Sequence, residues 1–200
     1  MKSFKVNDLL SKDLVINIKN FIYEKGFEEN SFQESMSRYT MHMQKLGDFN
    51  TELTRIINKA MKDNGEGQQY EIGGIEIAKY QKSKGKTPNL VEHLDPGVWW
   101  DFVADILIDS TIDWPIVIEG KSFTCKPGDS VFIYSTKEKH YRPKYPSDSE
   151  NDFYLVLFCW MISKEKYEKM PKNVTSRIRN DNRGYGPTLE IQLLPSNNEI

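Results

Sequence analysis

The chain has 200 residues, which is enough for one well-filled domain and too few for two of ordinary size. Its 29 acidic and 27 basic side chains nearly balance, and 38% of its residues are hydrophobic, a composition that argues against a disordered chain or a dedicated nucleic-acid binder. The longest apolar runs are only about half of the ~20 residues that span a bilayer, and residues 1–5 show no signal-peptide pattern, so we expect a cytoplasmic protein that binds neither nucleic acid nor membrane.

Helix signals dominate the first 68 residues. Asp8 is a candidate N-cap for a first helix, which the next glycine, Gly26, would end. A second helix is expected to begin at Asp48 or Asn50, with its apolar residues spaced three and four apart. The segment between them, residues 31–45, fits neither the helical nor the strand period, and we interpret it as helix or loop.

From residue 70 the pattern changes to short runs of β-branched and aromatic residues separated by proline and glycine turns. The predicted strands are Tyr70–Tyr80, Trp99–Ile108, Trp114–Glu119, Ser122–Lys126, Ser130–Tyr134 and Phe153–Ile162. Parallel βαβ units would need a helix between successive strands, and the spacing of these runs favours an antiparallel arrangement instead. The pattern therefore predicts an antiparallel sandwich or barrel.

Two of the three histidines stand in a pattern that suits a metal site. His93 and Asp95 are two residues apart, so in an extended segment both side chains point to the same face and can hold one ion. A second imidazole from another strand would complete a site of two histidines and one carboxylate, which leaves positions on iron(II) open for other ligands. His140 is the candidate for that third ligand. A His-x-Asp pair alone is weak evidence, because such pairs occur by chance in many proteins.

The order of further motifs along residues 70–160 strengthens this interpretation. In that order the sequence resembles the iron(II)- and 2-oxoglutarate-dependent oxygenases, and it is most similar to their prolyl-hydroxylase-like branch. The motifs that carry the resemblance are Tyr80, His93-Leu-Asp95, the Trp-Pro hairpin 114–121, the Pro-Gly-Asp turn 127–129 and His140.

The resemblance implies an α+β fold: a double-stranded β-helix, that is, a distorted cupin-like jelly roll, buttressed by the N-terminal helices. We expect a single oxygenase domain formed by a helical buttress (1–68), a jelly-roll core (69–163), and a C-terminal helix with a polar tail (164–200). The site would lie between the two sheets, near His93, Asp95 and His140.

The resemblance also implies a reaction. Iron(II) held by His93, Asp95 and His140 would use dioxygen and 2-oxoglutarate to hydroxylate, or otherwise oxidise, an unactivated C–H bond. Halogenating relatives replace the carboxylate ligand with a small residue, so the presence of Asp95 disfavours that chemistry. Small molecules, carrier-tethered intermediates and peptides are all compatible substrates.

One departure from the family pattern concerns the cosubstrate. Many members bind the distal carboxylate of 2-oxoglutarate with a lysine or arginine about ten residues after the distal histidine, but residues 145–163 contain neither. Arg142 is the expected substitute, because it would face the same side as His140. Lys144 is the reserve candidate, and Tyr80 is expected to donate its phenol proton to the same carboxylate.

Two alternatives remain open. The chain could keep the iron site but use no 2-oxoglutarate, with the substrate itself chelating the metal, as the missing cation permits. It could also be a non-catalytic jelly-roll binding or scaffold protein whose histidines are incidental.

Overall fold

The computed structural model describes residues 2–28, 31–43, 46–95, 100–169, 174–179 and 188–193 of the chain. The helices are α1 (Lys12–Lys25), α2 (Phe49–Asp63) and α3 (Lys164–Lys169). The strands are β1 (Phe4–Val6), β2 (Phe32–Gln33), β3 (Arg38–Met43), β4 (Tyr70–Gln81), β5 (Leu90–His93), β6 (Phe102–Ser110), β7 (Ile116–Ile118), β8 (Lys121–Phe123), β9 (Ser130–Ile133), β10 (His140–Arg142), β11 (Phe153–Ser163), β12 (Val174–Arg179) and β13 (Thr188–Leu193).

The strands form two main sheets. The seven-stranded sheet has the order β1-β9-β6-β11-β4-β3-β2, and the four-stranded sheet has the order β5-β10-β7-β8. Pairing is antiparallel throughout both sheets, so the predicted antiparallel arrangement is confirmed. The two longest strands, β4 and β11, pair along almost their whole length at the centre of the large sheet.

Helices α1 and α2 cover the outer face of the seven-stranded sheet. Their apolar stripes, Leu14, Val15, Ile18 and Ile22 in α1 and Leu53, Ile57, Ala60 and Met61 in α2, are buried. They join one core cluster with outward-facing residues of the sheet, including Ile77, Ile106 and Leu157. A helix that is apolar on one face needs such a surface, and the sheet provides it.

A second core fills the space between the two sheets, on what we call the inner face of the large sheet. It contains Ala78, Leu107 and Val156 from the large sheet and Ile116 and Ile118 from the small one. Residues two apart along each strand share a face, so one row of side chains packs against the helices and the next against the opposite sheet.

The predicted start of the first helix is wrong by one turn. Ser11, not Asp8, is the N-cap, and its hydroxyl accepts a hydrogen bond from the Leu14 amide. Asp8 instead adopts a positive φ of 48°, and its amide donates to Asp129 Oδ1 at 2.9 Å. This long-range contact keeps Asp8 outside the helix, and short-range capping rules do not include it.

The interpretation of residues 31–45 as helix or loop is also wrong. The described part of this segment forms β2 and β3, and β3 extends the large sheet by pairing with β4. Strand β1 pairs with β9 at the opposite edge. Residues 1–68 therefore contribute three strands as well as the helical buttress. Arg38 and Thr40 occupy the buried face of β3, so the strand lacks the apolar alternation that would have marked it.

The C-terminal segment contains a short helix, α3, directly after β11, and then β12 and β13, which pair with each other. The expected division of the domain into the segments 1–68, 69–163 and 164–200 stays a prediction. Trp99, the expected first residue of the strand now bounded as β6, lies outside the described residues. None of the helices in the described ranges has the length and apolar character required to cross a membrane.

The Pro-Gly-Asp turn provides a test of how α1 is attached to the sheet. Gly128 has a φ of +96°, and a Cβ there would lie 2.9 Å from the Leu10 carbonyl oxygen. We predict that Gly128→Ala lowers the free energy of unfolding by more than the roughly 1–2 kcal/mol that a left-handed conformation costs a non-glycine residue. Chemical denaturation measures this change.

Gly120 is the matched control. It also has a positive φ, of +78°, but a Cβ there would meet nothing within 4 Å. Gly120→Ala should therefore show the conformational cost alone, and equal losses in the two variants would contradict the packing argument.

Candidate metal site

Three polar side chains meet where β5 and β10 lie side by side. His140 is the cross-strand partner of His93, and the two imidazole centroids are 4.3 Å apart. Asp95 follows just after β5, with Oδ1 at 3.3 Å from His93 Nε2 and 3.8 Å from His140 Nε2. One potential ligand atom from each residue lies within 4.8 Å of the other two. The structure thus brings together the three residues named from the sequence, and their role as metal ligands stays a prediction.

Backbone contacts fix the direction of both rings. Nδ1 of His93 donates to the Val91 carbonyl at 2.8 Å, and Nδ1 of His140 donates to the Glu138 carbonyl at 3.1 Å. A proton on each Nδ1 makes Nε2 the ring nitrogen that can bind a metal, and both Nε2 atoms lie near the Asp95 carboxylate. The Asp95 amide donates to the Ser135 carbonyl at 2.8 Å, which fixes the backbone that carries the third ligand atom.

Electrostatics keep the carboxylate ionised. Burial opposes the charge on Asp95, but the hydrogen bond with His93 and the charge of His140 hold its pKa below the ordinary value. Burial also disfavours a charged His93, yet the hydrogen bond and the charge of Asp95 outweigh it and raise the pKa of His93. Burial lowers the pKa of His140. An ionised carboxylate and neutral imidazoles are the forms that bind metal.

Arg142 lies two residues beyond His140 and points into the space between the sheets. Its Nη2 donates to Asp105 Oδ2 at 2.9 Å, and its Nη1 donates to the Trp114 carbonyl at 2.6 Å. The guanidinium lies over the rings of Trp114 and Tyr154, at 5.3 and 4.5 Å from their centroids. Arg142 therefore ties β10 of the small sheet to β6 of the large one.

Tyr80 belongs to a second buried polar group, on the inner face of β3 and β4. Its hydroxyl accepts a hydrogen bond from Arg38 Nη1 at 2.9 Å, and the same nitrogen lies 2.8 Å from Glu76 Oε1. Glu76 Oε2 lies 3.7 Å from Nδ1 of His42. Burial raises the pKa of Tyr80, so its phenol stays protonated and able to donate.

Lys144 is not brought to this interior. It follows β10, and its side chain is exposed. The structure thus separates the two sequence candidates for the carboxylate anchor: Arg142 is buried behind the metal site and Lys144 is on the surface.

An aromatic wall lies on the inner face of β11. Phe158 is the cross-strand partner of Glu76, and Trp160 is that of Gly74. Both rings are half-buried, and the Trp160 ring lies 5.2 Å from the buried ring of Trp100. Apolar rings therefore continue the same inner face that carries the Glu76 and Arg38 charges.

Sequence reasoning missed Arg38, Glu76 and Asp105. Asp105 left a readable signal, because a carboxylate in the middle of the apolar run 102–108 must find a buried cation. Arg38 and Glu76 left a weaker one: they lie on different strands, and only the β3–β4 register makes them neighbours.

Comparison by sequence gives no family. No protein-family model matches the chain, and no curated protein matches it.

Comparison of structures gives consistent neighbours. A viral collagen prolyl hydroxylase from Paramecium bursaria Chlorella virus-1, solved with 2OG, superposes with a TM-score of 0.57 at 13% identity, covering 81% of this chain and 96% of that one. A Pseudomonas putida prolyl-4-hydroxylase superposes with a TM-score of 0.55 at 13% identity, covering 80% of this chain and 92% of that one. The α-ketoglutarate-dependent carbocyclase SnoK from nogalamycin biosynthesis superposes with a TM-score of 0.58 at 12% identity, covering 80% of this chain and 79% of that one.

The chain has the fold of the 2OG-Fe(II) oxygenases. The expected double-stranded β-helix with helices against one sheet is therefore confirmed. Within this oxygenase fold, the His93, Asp95 and His140 side chains lie close together on the small sheet and the segment that follows β5.

The Asp105–Arg142 pair provides a stability test of the interior. Removing one partner of a buried ion pair leaves the other charge uncompensated, which costs about 3–5 kcal/mol. We predict a loss of this size in the free energy of unfolding for Asp105→Ala, measured by chemical denaturation.

Asp63→Ala is the control, because Asp63 pairs with Lys59 on the exposed surface of α2. Exposed pairs of this kind contribute about 0.3–0.5 kcal/mol. If the two variants lose similar stability, Arg142 does not depend on Asp105 for its charge compensation.

Proposed function

We propose that this chain is an iron(II)- and 2-oxoglutarate-dependent oxygenase that hydroxylates, or otherwise oxidises, a C–H bond of a small-molecule, carrier-tethered or peptide substrate. The observation that carries the proposal is the convergence of two imidazole nitrogens and one carboxylate oxygen within 4.8 Å in an oxygenase fold. A cytoplasmic location and the absence of nucleic-acid and membrane partners stay predictions.

The donor set fits the metal. Two histidines and one carboxylate on one side of an ion are the ligands of non-haem iron(II) sites that keep positions open. Both Nδ1 atoms are engaged by backbone carbonyls, so both Nε2 atoms are available, and Asp95 is ionised. The side chains of His93, Asp95 and His140 are 13%, 15% and 6% exposed, so the site is largely shielded from solvent.

When bound, iron(II) and 2-oxoglutarate supply the activation of dioxygen, and 2-oxoglutarate is converted to succinate and carbon dioxide. The protein groups bind and orient. His93, Asp95 and His140 hold the ion, and the Val91 and Glu138 carbonyls keep the two rings in place.

The cosubstrate needs a partner for its distal carboxylate. Tyr80 and Arg142, the partners expected from the sequence, are both buried, and their contact with 2-oxoglutarate stays a prediction. Lys144 is exposed, which leaves Arg142 as the better supported of the two cations named from the sequence.

A second candidate function keeps the iron and omits 2-oxoglutarate, with the substrate chelating the metal. The observation that favours it is charge pairing: Arg142 already faces Asp105 and Arg38 already faces Glu76. A dianionic cosubstrate would enter an interior whose cations are balanced. The metal and cosubstrate measurements below separate the two candidates.

We predict that Asp95→Ala lowers the affinity for Mn(II), a stand-in for iron(II) that is stable in air. The loss should exceed the roughly 10- to 100-fold that removal of an outer-shell partner costs, because a direct ligand is removed. Calorimetric titration measures the affinity, and circular dichroism checks the fold.

Glu92→Ala is the matched control. Glu92 is a carboxylate three residues from Asp95, but its side chain is exposed and pairs with Lys139 on the surface. Mn(II) binding that survives Asp95→Ala, or that is lost in Glu92→Ala, would remove the basis of the proposed site.

We also predict that the iron-loaded protein in air produces succinate from 2-oxoglutarate without any added substrate. Two histidines and one carboxylate would leave positions on the metal open for cosubstrate and dioxygen. Chelation or His140→Ala should abolish succinate formation, and 2-oxoglutarate binding should require metal. Metal binding without metal-dependent 2-oxoglutarate binding would favour the second candidate function.

A further inference from the structure

The inner face of β3 and β4 carries a buried guanidinium that the sequence did not reveal. Arg38 is the cross-strand partner of Tyr80, and only 4% of the residue is exposed. Its Nε donates to Gln33 Oε1 at 2.7 Å, and its Nη1 serves both Tyr80 and Glu76. These contacts hold the side chain in a single orientation.

Arg38 still has donors to offer. Its Nη2 makes no hydrogen bond with any residue in the described part of the chain. The Tyr80 hydroxyl accepts from Arg38, and its own proton makes no hydrogen bond with a described residue. An N–H donor and an O–H donor on neighbouring side chains suit a carboxylate ligand.

Arg142 differs in this respect. Both of its terminal nitrogens already donate, one to Asp105 and one to the Trp114 carbonyl. Its guanidinium also lies against the rings of Trp114 and Tyr154. A ligand carboxylate would have to compete with Asp105 at 2.9 Å for the same cation.

A chain of contacts links Arg38 to the strand that carries His140. Its Nη1 donates to the Tyr80 hydroxyl, the Tyr80 ring lies 5.2 Å from that of Trp114, and the Trp114 carbonyl accepts from Arg142, two residues beyond His140. Tyr80 in turn feels the charges of both Arg38 and Arg142. The Tyr80 hydroxyl thus lies close to both buried guanidinium groups.

We propose that Arg38 and Tyr80 form the carboxylate subsite of the pocket, which takes the distal carboxylate of the 2-oxo acid cosubstrate, while Arg142 braces the two sheets. This inference rests on the proposed function. It assigns the anchoring charge to β3 of the large sheet, not to β10.

Glu76 makes such a subsite physically reasonable. Without a ligand, a bare guanidinium in this interior would be costly, and Glu76 compensates its charge. Because Glu76 binds Nη1, the other terminal nitrogen is left free, so one arginine can hold a protein carboxylate and a ligand carboxylate at once.

The test compares two 2-oxo acids on the Mn(II)-loaded protein. 2-Oxoglutarate and 2-oxovalerate have the same chain length, but only the first has a distal carboxylate, so the ratio of their affinities measures the subsite. Calorimetry should show that the wild type prefers 2-oxoglutarate and that Arg38→Gln reduces this preference roughly 10- to 100-fold, with 2-oxovalerate binding unchanged. Tyr80→Phe should reduce the preference by a smaller factor.

Two variants serve as comparison. Arg55→Gln removes an exposed arginine of α2 and should leave both affinities unchanged. Asp105→Asn removes the charge that pairs with Arg142. If Arg142 braces the sheets, the preference for 2-oxoglutarate over 2-oxovalerate should stay at the wild-type ratio. A stronger preference would make Arg142 the anchor and overturn the inference. This variant keeps the test decisive even if substitutions of Arg142 itself do not fold.

The remaining outcomes are also distinct. A preference that survives Arg38→Gln, or an equal loss for both acids, overturns the inference and leaves the proposed function standing. If the wild-type protein binds Mn(II) and both acids equally, the carboxylate subsite does not exist. If neither acid binds the Mn(II)-loaded protein, the 2-oxoglutarate-dependent function fails together with the inference.

Discussion

Charges between the two sheets must be paired, and the Asp105–Arg142 bridge is the pair on which the site depends. It joins β6 of the large sheet to β10 of the small sheet, with both side chains buried. His140 and Arg142 are two residues apart, so they share a face of β10. The contact that fixes Arg142 against the large sheet therefore also fixes the strand that delivers His140 to Asp95.

The geometry of the triad comes from backbone pairing more than from side-chain packing. Pairing of β5 with β10 places His93 directly opposite His140, and the Asp95 amide is held by the Ser135 carbonyl after β9. Carbonyls within two residues of each histidine hold the rings. A site built in this way is in position before any ligand arrives, which lowers the ordering cost of binding.

The sequence predicted the features that follow from local patterns. The strands after residue 70 have apolar and β-branched runs with clear turns, and the two-residue spacing of His93 and Asp95 is meaningful on any strand. It did not predict β3, because the buried face of that strand is polar and is satisfied only by Glu76 and Tyr80 on its neighbour. Nor could spacing decide between Arg142 and Lys144, since the strand ends at Arg142 and the chain then turns outward.

The two buried arginines illustrate how burial alone does not define a role. A buried ion pair adds little stability compared with apolar packing of the same volume, so its value lies in fixing an orientation. Arg142 meets that description, because its terminal nitrogens and both ring contacts are used within the fold. Arg38 does not, because its Nη2 and the Tyr80 proton make no hydrogen bond within the described part of the fold. Donors left open beside a metal site are better explained by a ligand that completes them.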